Sequence, residues 1–175
     1  MKITAEQLKK IMPYAAKANL EKYLDPLNAA MEEFGIDTPK RAAAFLAQVT
    51  HESGSLKYSR ELASGKAYEN RPSMGNINPG DGPKYKGGGP LQLTWANNYK
   101  QCGDEIGIDL YNNPELIEHP GVGCRAAGWF WKGHNLNHYV DMNQFDNVSH
   151  VINGGWNGRQ ERQDNYARAL KVLMG

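Results

Sequence analysis

The segment spanning residues 38–52 places the strongest constraint on how this chain can fold. Thr38 is a good helix cap and Pro39 suits the first helical position, so the pair predicts a helix start. The residues that follow are rich in alanine and apolar around most of the helix circumference. A helix on a protein surface shows an apolar stripe on one face only. We therefore predict a central, buried helix that ends at Glu52.

Further helices are predicted on both sides of this segment. Thr4 and Gln7 form a capping box at the start of a first helix, and Pro13 should break that helix. A second helix is expected over residues 19–34, with Gly35 as its stop. Helical signals predict four more helices, over residues 95–106, 122–131, 143–152 and 159–174.

Glycines and prolines between residues 64 and 90 interrupt the helical pattern. This stretch requires turns and is expected to hold at most a short β-hairpin. Helices therefore dominate, and we predict a mainly α fold with a small irregular or β-like lobe. The 175 residues fit one domain over residues 1–175, which can have two lobes.

Charge and composition exclude several classes of protein. A formal net charge of +1 gives no electrostatic basis for binding nucleic acid. No apolar run is long enough to span a membrane, and the first residues lack the apolar core of a signal peptide. We therefore expect synthesis in the cytoplasm and no membrane insertion. Two cysteines, Cys102 and Cys124, are too few for a disulfide framework and are expected to be buried thiols.

Two glutamates are the main candidates for catalysis. Glu52 is at the end of the predicted buried helix, where a carboxyl group partly removed from water suits a general acid. On one continuous helix Glu61 would be about 13.5 Å away and on the opposite face. Ser53 and Gly54 offer a break that would let both carboxylates point into one cleft. The alternative is that both are ordinary surface glutamates.

Paired carboxylates in one cleft are typical of glycosidases. Inverting enzymes hold them about 6.5–9.5 Å apart with room for a water, and retaining enzymes about 5–5.5 Å apart. The spacing in the sequence does not choose between these distances.

A polar and aromatic segment follows the glycine-rich stretch. If residues 89–94 are extended, Gln92 and Thr94 lie on one side and can offer an amide and a hydroxyl to a sugar. Asn98 continues the polar pattern, and Trp95 or Tyr99 could stack on a sugar face. The alternative is a turn and a helix capped by Thr94, with the aromatic residues in the core.

Two more candidates lie near the end of the chain. Asn153 belongs to a polar, glycine-rich turn between two predicted helices. Arg162 lies in the first turn of the last helix, where it could form an ion pair with a catalytic carboxylate. The alternative for Arg162 is an exposed surface position.

These segments together resemble glycoside hydrolase family 19, the plant-type chitinases, and most closely its small phage and prophage endolysin branch. The resemblance runs from about residue 41 to about residue 168. Each motif is modest by itself, whereas their order and spacing together are specific. The motifs are His51-Glu52-Ser53, Glu61, residues 89–94, Asn98-Tyr99, residues 127–131, residues 152–155 and Glu161-Arg162.

The resemblance implies a bilobal, lysozyme-like catalytic domain, an inverting mechanism and no cofactor or metal. Glu52 would be the general acid, Glu61 the general base, and Thr94 would help to hold the attacking water. Arg162 would belong to the ion-pair network that tunes Glu61. The residues expected to contact the substrate are Gln92, Trp95, Asn98, Tyr99, Asn153 and Arg162.

The short gap between Glu52 and Glu61 is typical of the endolysin branch and favours peptidoglycan over chitin as the substrate. We expect a monomer that acts on the cell wall after holin release or secretion. Whether it would be a muramidase or a glucosaminidase stays open.

One departure from the family pattern lies in the loop before Pro90. The family usually has an arginine where this chain has Gly88, and Lys86 is the neighbour that could partly replace its charge. We expect Gly88→Arg to be tolerated.

Two rival interpretations belong to other functional classes. His134, His138 and Asp141 have a spacing that could serve a zinc-dependent cell-wall peptidase, although no HExxH motif is present. A catalytically weak domain that only binds glycan is the second rival, because the loop arginine is missing.

Overall fold

The computed structural model describes residues 1–175 as nine α-helices joined by turns. The helices are α1 (Ala5–Ile11), α2 (Lys17–Glu33), α3 (Pro39–Glu52), α4 (Asp81–Lys84), α5 (Ala96–Ile106), α6 (Pro120–Gly133), α7 (Leu136–Asp141), α8 (Phe145–Asn153) and α9 (Arg159–Met174). Single 3-10 turns occur at Lys66–Tyr68, Pro72–Met74 and Pro114–Glu118. None of the helices combines the length and the apolar character that crossing a membrane would need.

The predicted helix starts are confirmed by their hydrogen bonds. Thr4 accepts a hydrogen bond from the Gln7 amide, and the Gln7 side chain returns one to the Thr4 amide, completing the capping box. The Thr38 hydroxyl accepts a hydrogen bond from the Arg41 amide at the start of α3. The break expected at Pro13 is also confirmed, because α1 ends at Ile11.

Helix α3 lies at the centre of the molecule, as its composition predicts. Every residue from Ala42 to Thr50 is buried, and the helix packs most extensively against α9. Small alanine side chains allow the neighbouring helices to approach closely on several sides of α3. This packing fixes the position of Glu52 at the end of α3.

The apolar side chains form two separate clusters. The larger one is built around α3 and includes an edge-to-face contact between Phe45 and Trp131, with ring centroids 5.3 Å apart. The smaller one joins α5 to Tyr85 and Ile117. Helix α6 contributes to both clusters, since Ala127 belongs to the larger and Ala126 to the smaller. The predicted mainly α fold with a smaller irregular part is confirmed.

No strand forms in the irregular part. Its β-like contacts are three isolated antiparallel bridges, Arg60 with Gly88, Arg71 with Asn76, and Gly88 with Leu93. These bridges hold the irregular segments to each other and to the glycine-rich loop over residues 87–89.

Both cysteines are free and buried, as predicted. Cys124 belongs to the larger cluster and Cys102 to the smaller. Burial raises the pKa of Cys102 to about 12, with a smaller contribution from nearby Glu105, and burial also raises the pKa of Cys124. The two thiols therefore behave as small apolar side chains.

Candidate active site

Glu52 is held by an arginine that comes from the other end of the chain. Nη2 of Arg162, in the first turn of α9, donates a hydrogen bond to Oε1 of Glu52 over 2.6 Å. The Arg162 side chain is 1% exposed and the Glu52 side chain 17% exposed. A guanidinium this deeply buried requires a partner of opposite charge, so the pair fixes the direction of the Glu52 carboxylate.

Gln48 completes this arrangement one helical turn before Glu52. Its Oε1 accepts a hydrogen bond from Nη1 of Arg162 at 2.6 Å, and its Nε2 donates to Oγ of Ser149 at 2.9 Å. Nε of Arg162 donates to the carbonyl of Asn157 at 3.1 Å. All three guanidinium nitrogens of Arg162 therefore have acceptors.

Sequence reasoning missed Gln48 and Ser149 as members of this network. The spacing of four residues between Gln48 and Glu52 places both on one face of α3, which was the available signal. The predicted role of Arg162 also needs correction. Arg162 supports Glu52 and not Glu61, and its burial prevents direct contact with a sugar.

Glu61 lies in irregular structure and is held by the glycine-rich loop. Its amide donates to the carbonyl of Gly87 at 2.8 Å, and two residues earlier the Ser59 carbonyl accepts from the Gly89 amide at 2.9 Å. The Gly87 amide lies 3.3 Å from Oε2 of the Glu61 side chain, to which it donates. Main-chain groups therefore position both the backbone and the carboxylate of Glu61.

Tyr68 provides the other contact to Glu61. Its hydroxyl donates to Oε1 of Glu61 over 2.6 Å, and its ring packs edge-on against Trp95 with centroids 4.9 Å apart. Burial, together with the hydrogen bond to the Glu61 carboxylate, raises the pKa of Tyr68 to about 12. The phenol is therefore a hydrogen-bond donor throughout the neutral range. Nothing in the sequence motifs pointed to Tyr68.

The glycine-rich loop has no space for side chains. A Cβ on Gly88 would overlap Cγ2 of Ile117 and the hydroxyl of Tyr99. A Cβ on Gly87 would lie 2.8 Å from Oε1 of Gln92. The expectation that Gly88→Arg is tolerated is therefore wrong, because any side chain there must displace its neighbours.

Lys86 does not replace the missing arginine of this loop. Its ammonium donates to the carbonyl of Ala63 at 3.1 Å on the exposed surface. The basic side chain that lies beside Gly88 is that of Arg60, and its Nη2 donates to the carbonyl of Lys84 at 3.1 Å.

A cleft of about 280 Å³ brings five of the predicted residues together. Its lining also includes apolar side chains of α6 and α8, among them Phe130 and Ile152. Neither Glu52 nor Glu61 is part of this lining, and Tyr68 connects Glu61 to it through Trp95. The predicted residues in the cleft are Gln92, Thr94, Trp95, Asn98 and Asn153.

The backbone of residues 89–94 is not extended, which corrects one prediction. Gly88 and Leu93 exchange two backbone hydrogen bonds of 2.9 and 2.8 Å, and Gln92 has a left-handed φ of 57°. The chain therefore turns tightly at Gln92. Thr94 does not cap α5 either, since its hydroxyl donates to the Gln92 carbonyl at 2.9 Å.

The polar side chains of this turn use only part of their hydrogen-bonding capacity internally. Nε2 of Gln92 donates to the carbonyl of Gly89 at 2.9 Å, and Nδ2 of Asn98 donates to the carbonyl of Thr94 at 2.8 Å. The side-chain carbonyls of Gln92 and Asn98 accept no hydrogen bond within the protein, so both are available to a ligand.

Tyr99 is not a sugar platform, contrary to the prediction. It is completely buried in the smaller cluster, and its hydroxyl donates to the carbonyl of Lys86 at 2.7 Å. Of the two aromatic candidates in this segment, only Trp95 lines the cleft.

The geometry contradicts the zinc hydrolase interpretation. Asn135 has a left-handed φ of 54° and separates α6 from α7, so His134 and His138 do not share one helix. Asp141 is engaged by Arg41 through two hydrogen bonds. No group of three or more His, Cys, Asp or Glu side chains is arranged to hold a metal ion.

Two independently supported carboxylates and a polar cleft in a mainly helical fold are features that a glycoside hydrolase requires. Comparison with known proteins supports this class. The profile of the family described as "Chitinase class I" matches residues 28–169.

Individual relatives agree with the family profile. A Haemophilus influenzae protein described as a glycosyl hydrolase family 19 domain-containing protein is 31% identical over 204 aligned residues, covering 98% of this chain and 97% of its own length. An endochitinase of Arabidopsis thaliana is 39% identical over 147 residues, which cover 79% of this chain. The chain spans about half the length of that plant relative, since the match covers 50% of it.

A solved structure shows the same fold. The crystal structure of a bacterial family 19 chitinase superposes with a TM-score of 0.82 at 30% identity, covering 98% of this chain and 94% of the other. The chain therefore belongs to glycoside hydrolase family 19, with its lysozyme-like fold. The family predicted from the sequence motifs is confirmed.

Proposed function

We propose that the protein hydrolyses β-1,4 linkages in polymers of N-acetylated amino sugars, with bacterial peptidoglycan as its substrate. The observation that carries the proposal is the separate support of two carboxylates. A buried guanidinium orients Glu52, while a phenol and the main-chain amide of Gly87 orient Glu61. Each carboxylate is thus oriented by its own set of donors, with Glu52 held by a side chain 110 residues away and Glu61 by donors within 26 residues.

In the proposed reaction, Glu52 is protonated on Oε2 when the substrate is bound, while its Oε1 keeps the hydrogen bond from Arg162. It donates that proton to the glycosidic oxygen as the bond from C1 to that oxygen breaks. Glu61 removes a proton from a water molecule whose oxygen forms the new bond to C1 from the opposite face. The sugar leaves with inverted configuration at C1. Glu52 ends ionised and Glu61 protonated, and exchange with water restores both groups.

The other residues have supporting parts in this scheme. Thr94 would help to hold the attacking water through its hydroxyl, as the family resemblance suggests. Gln92, Asn98 and Asn153 would bind hydroxyl and acetamido groups, and Trp95 would pack against a sugar ring. Their common position in one cleft supports these assignments.

The preference for peptidoglycan rests on the short gap between Glu52 and Glu61, which resembles that of the endolysin branch. We further propose that the protein acts as a monomer on the cell wall, reaching it through holin release or secretion. Chitin is the second candidate substrate, because the relatives named above include an endochitinase and a bacterial chitinase.

The test is product analysis on both polymers. Wild type and Glu52→Gln would be incubated with purified peptidoglycan and with chitin, and the released fragments identified by mass spectrometry. New reducing ends from peptidoglycan with wild type alone are expected, and the sugar at the new end names the linkage. Reducing ends from chitin alone would replace peptidoglycan by chitin. Binding to either polymer without any product would refute the proposed hydrolysis and favour a glycan-binding domain.

The configuration of the first product tests the inverting mechanism. Proton NMR of the reaction within the first turnovers should show the α-anomer accumulating before mutarotation. An initial β-anomer would contradict inversion.

A further inference from the structure

Trp156 is an exposed aromatic residue that no part of the proposed mechanism uses. It lies in the loop between α8 and α9 and is 58% exposed, whereas Trp131 is completely buried and Trp95 and Trp129 are half-buried. More than half of the accessible surface of this residue is therefore available for contact with a ligand. Single exposed apolar residues are common on protein surfaces, so exposure alone does not indicate a binding site.

The indole ring is held in place although it is exposed. It stacks on His150 with ring centroids 4.8 Å apart and an angle of 28° between the planes. The guanidinium of Arg159 lies 5.7 Å from the centroid of the indole, and Asp146 holds that guanidinium through a 2.7 Å ion pair. The ring therefore has a defined orientation without belonging to the core, which lowers the entropy lost when it binds a ligand.

The loop that carries Trp156 is anchored to the arginine that also holds Glu52. The carbonyl of Asn157 accepts the hydrogen bond from Nε of Arg162, the arginine that holds Glu52. Gly158 packs so closely against the ring of His51 that a Cβ at this position would overlap it.

The other end of the same loop belongs to the cleft, since Asn153 and Gly154 are part of its lining. The loop thus connects the cleft to the Glu52 side of the site. Trp156 is two residues from Gly154, which limits the separation of their Cα atoms to about 7.6 Å.

We propose that Trp156 forms an additional sugar-binding subsite beside the Asn153 edge of the cleft, where the exposed indole packs against one N-acetylhexosamine ring of the polymer. The apolar C–H face of a pyranose matches an aromatic face, and an aromatic ring of this size contributes much apolar contact area. The proposal rests on the proposed glycosidase function and extends its substrate contacts beyond the cleft described above.

The subsite predicts a dependence on substrate length. Oligosaccharides that fill only the cleft would not reach Trp156, whereas longer chains and the polymer would. Trp156→Ala should therefore lower kcat/KM about tenfold on long substrates, equivalent to about 1.4 kcal/mol, and leave short substrates nearly unchanged. Trp156→Phe, which keeps an aromatic face, should recover most of the loss.

The experiment compares wild type, Trp156→Ala and Trp156→Phe on the N-acetylglucosamine tetramer and hexamer and on peptidoglycan glycan strands. Tyr14→Ala is the matched control, because Tyr14 is 88% exposed in the connection between α1 and α2 and belongs to neither the cleft nor the carboxylate supports. Thermal unfolding of each variant checks that the fold is kept. Equal losses on tetramer and hexamer, or no loss on any long substrate, would overturn the subsite.

A binding measurement separates this proposal from the proposed function. Hexamer binding is measured by calorimetry for wild type and Trp156→Ala in parallel with turnover. Hexamer binding that depends on Trp156, with no turnover of either the hexamer or the peptidoglycan strands, would support the subsite and refute the glycosidase. Turnover with hexamer binding that is insensitive to Trp156 would refute the subsite and leave the glycosidase standing.

Discussion

The two carboxylates of the site are held in opposite ways. Glu52 ends a buried helix and is oriented by side chains from α3 and α9, with a guanidinium that is almost completely removed from solvent. Glu61 lies in irregular structure and is oriented by the main chain of the glycine-rich loop and by one phenol. The orientation of Glu52 depends on a buried guanidinium whose charge the carboxylate balances. The orientation of Glu61 depends on the backbone conformation of residues 87–89, where glycines leave the main chain free to approach it.

This difference suggests different sensitivities to mutation. Changing the support of Glu52 should affect stability and activity together, because an unpaired charge would be left in the interior. Changing the support of Glu61 should first alter the geometry of the loop. It should lower the free energy of unfolding only as far as a new side chain is forced against its neighbours.

The largest expected effect is on activity, and it should be common to both regions. Glu52→Gln and Glu61→Gln should each lower kcat about a hundred- to ten-thousand-fold, because each removes one group that transfers a proton. Reducing-end release from the preferred polymer measures the loss, and circular dichroism checks the fold. Near-normal turnover of either variant would remove that residue from the mechanism.

The second largest effect is on the free energy of unfolding, and it should differ between the Glu52 and Glu61 regions. Arg162→Met should lower the free energy of unfolding by about 2–4 kcal/mol, somewhat less than for a fully buried pair because Glu52 keeps some contact with solvent. Urea unfolding measures the change. In the Glu61 region, Tyr68→Phe should cost only about 1 kcal/mol, since it removes a single hydrogen bond. Equal costs for the two variants would contradict the distinction between the two supports.

Gly88→Ala tests the packing of the glycine-rich loop. We expect a loss of about 1–3 kcal/mol in the free energy of unfolding, because the new methyl group must displace Ile117 or Tyr99. Activity should fall as well, since the same loop positions Glu61. Gly133→Ala is the control, because nothing lies within 4 Å of a Cβ there. A stable and fully active Gly88→Ala protein would mean that the loop has another conformation.

The smallest expected effect concerns the pH dependence of stability. Folding raises the pKa of Tyr68 from 10.0 to about 12, so the folded state holds this proton more tightly than the unfolded state. The resulting stabilisation is complete below pH 10 and is lost as the pH rises toward 12. Urea unfolding between these pH values should therefore show a steeper decline for wild type than for Tyr68→Phe. Parallel curves would mean that folding does not raise the pKa of Tyr68.

Local sequence patterns correctly predicted the features that depend on residues close together in the chain. The capping signals at Thr4 and Thr38, the break at Pro13 and the burial of α3 follow from propensity and hydrophobic period. The two carboxylates follow from the position of Glu52 at the end of the buried helix and from the order of the family motifs. The prediction for residues 89–94 was wrong because alternating polarity also occurs in a tight turn, where the left-handed backbone of Gln92 carries no clear sequence signal.

Residue order and periodicity are sufficient to identify the family, the helical class and the polar residues of the cleft. The partner of each functional side chain depends on the fold. Arg162 contacts Glu52 across 110 residues of chain, and Tyr99 enters the core while Trp95 stays at the cleft. The physical reason is that buried charge and close packing select partners by distance in space, and local periodicity contains no information about residues so far apart in the chain.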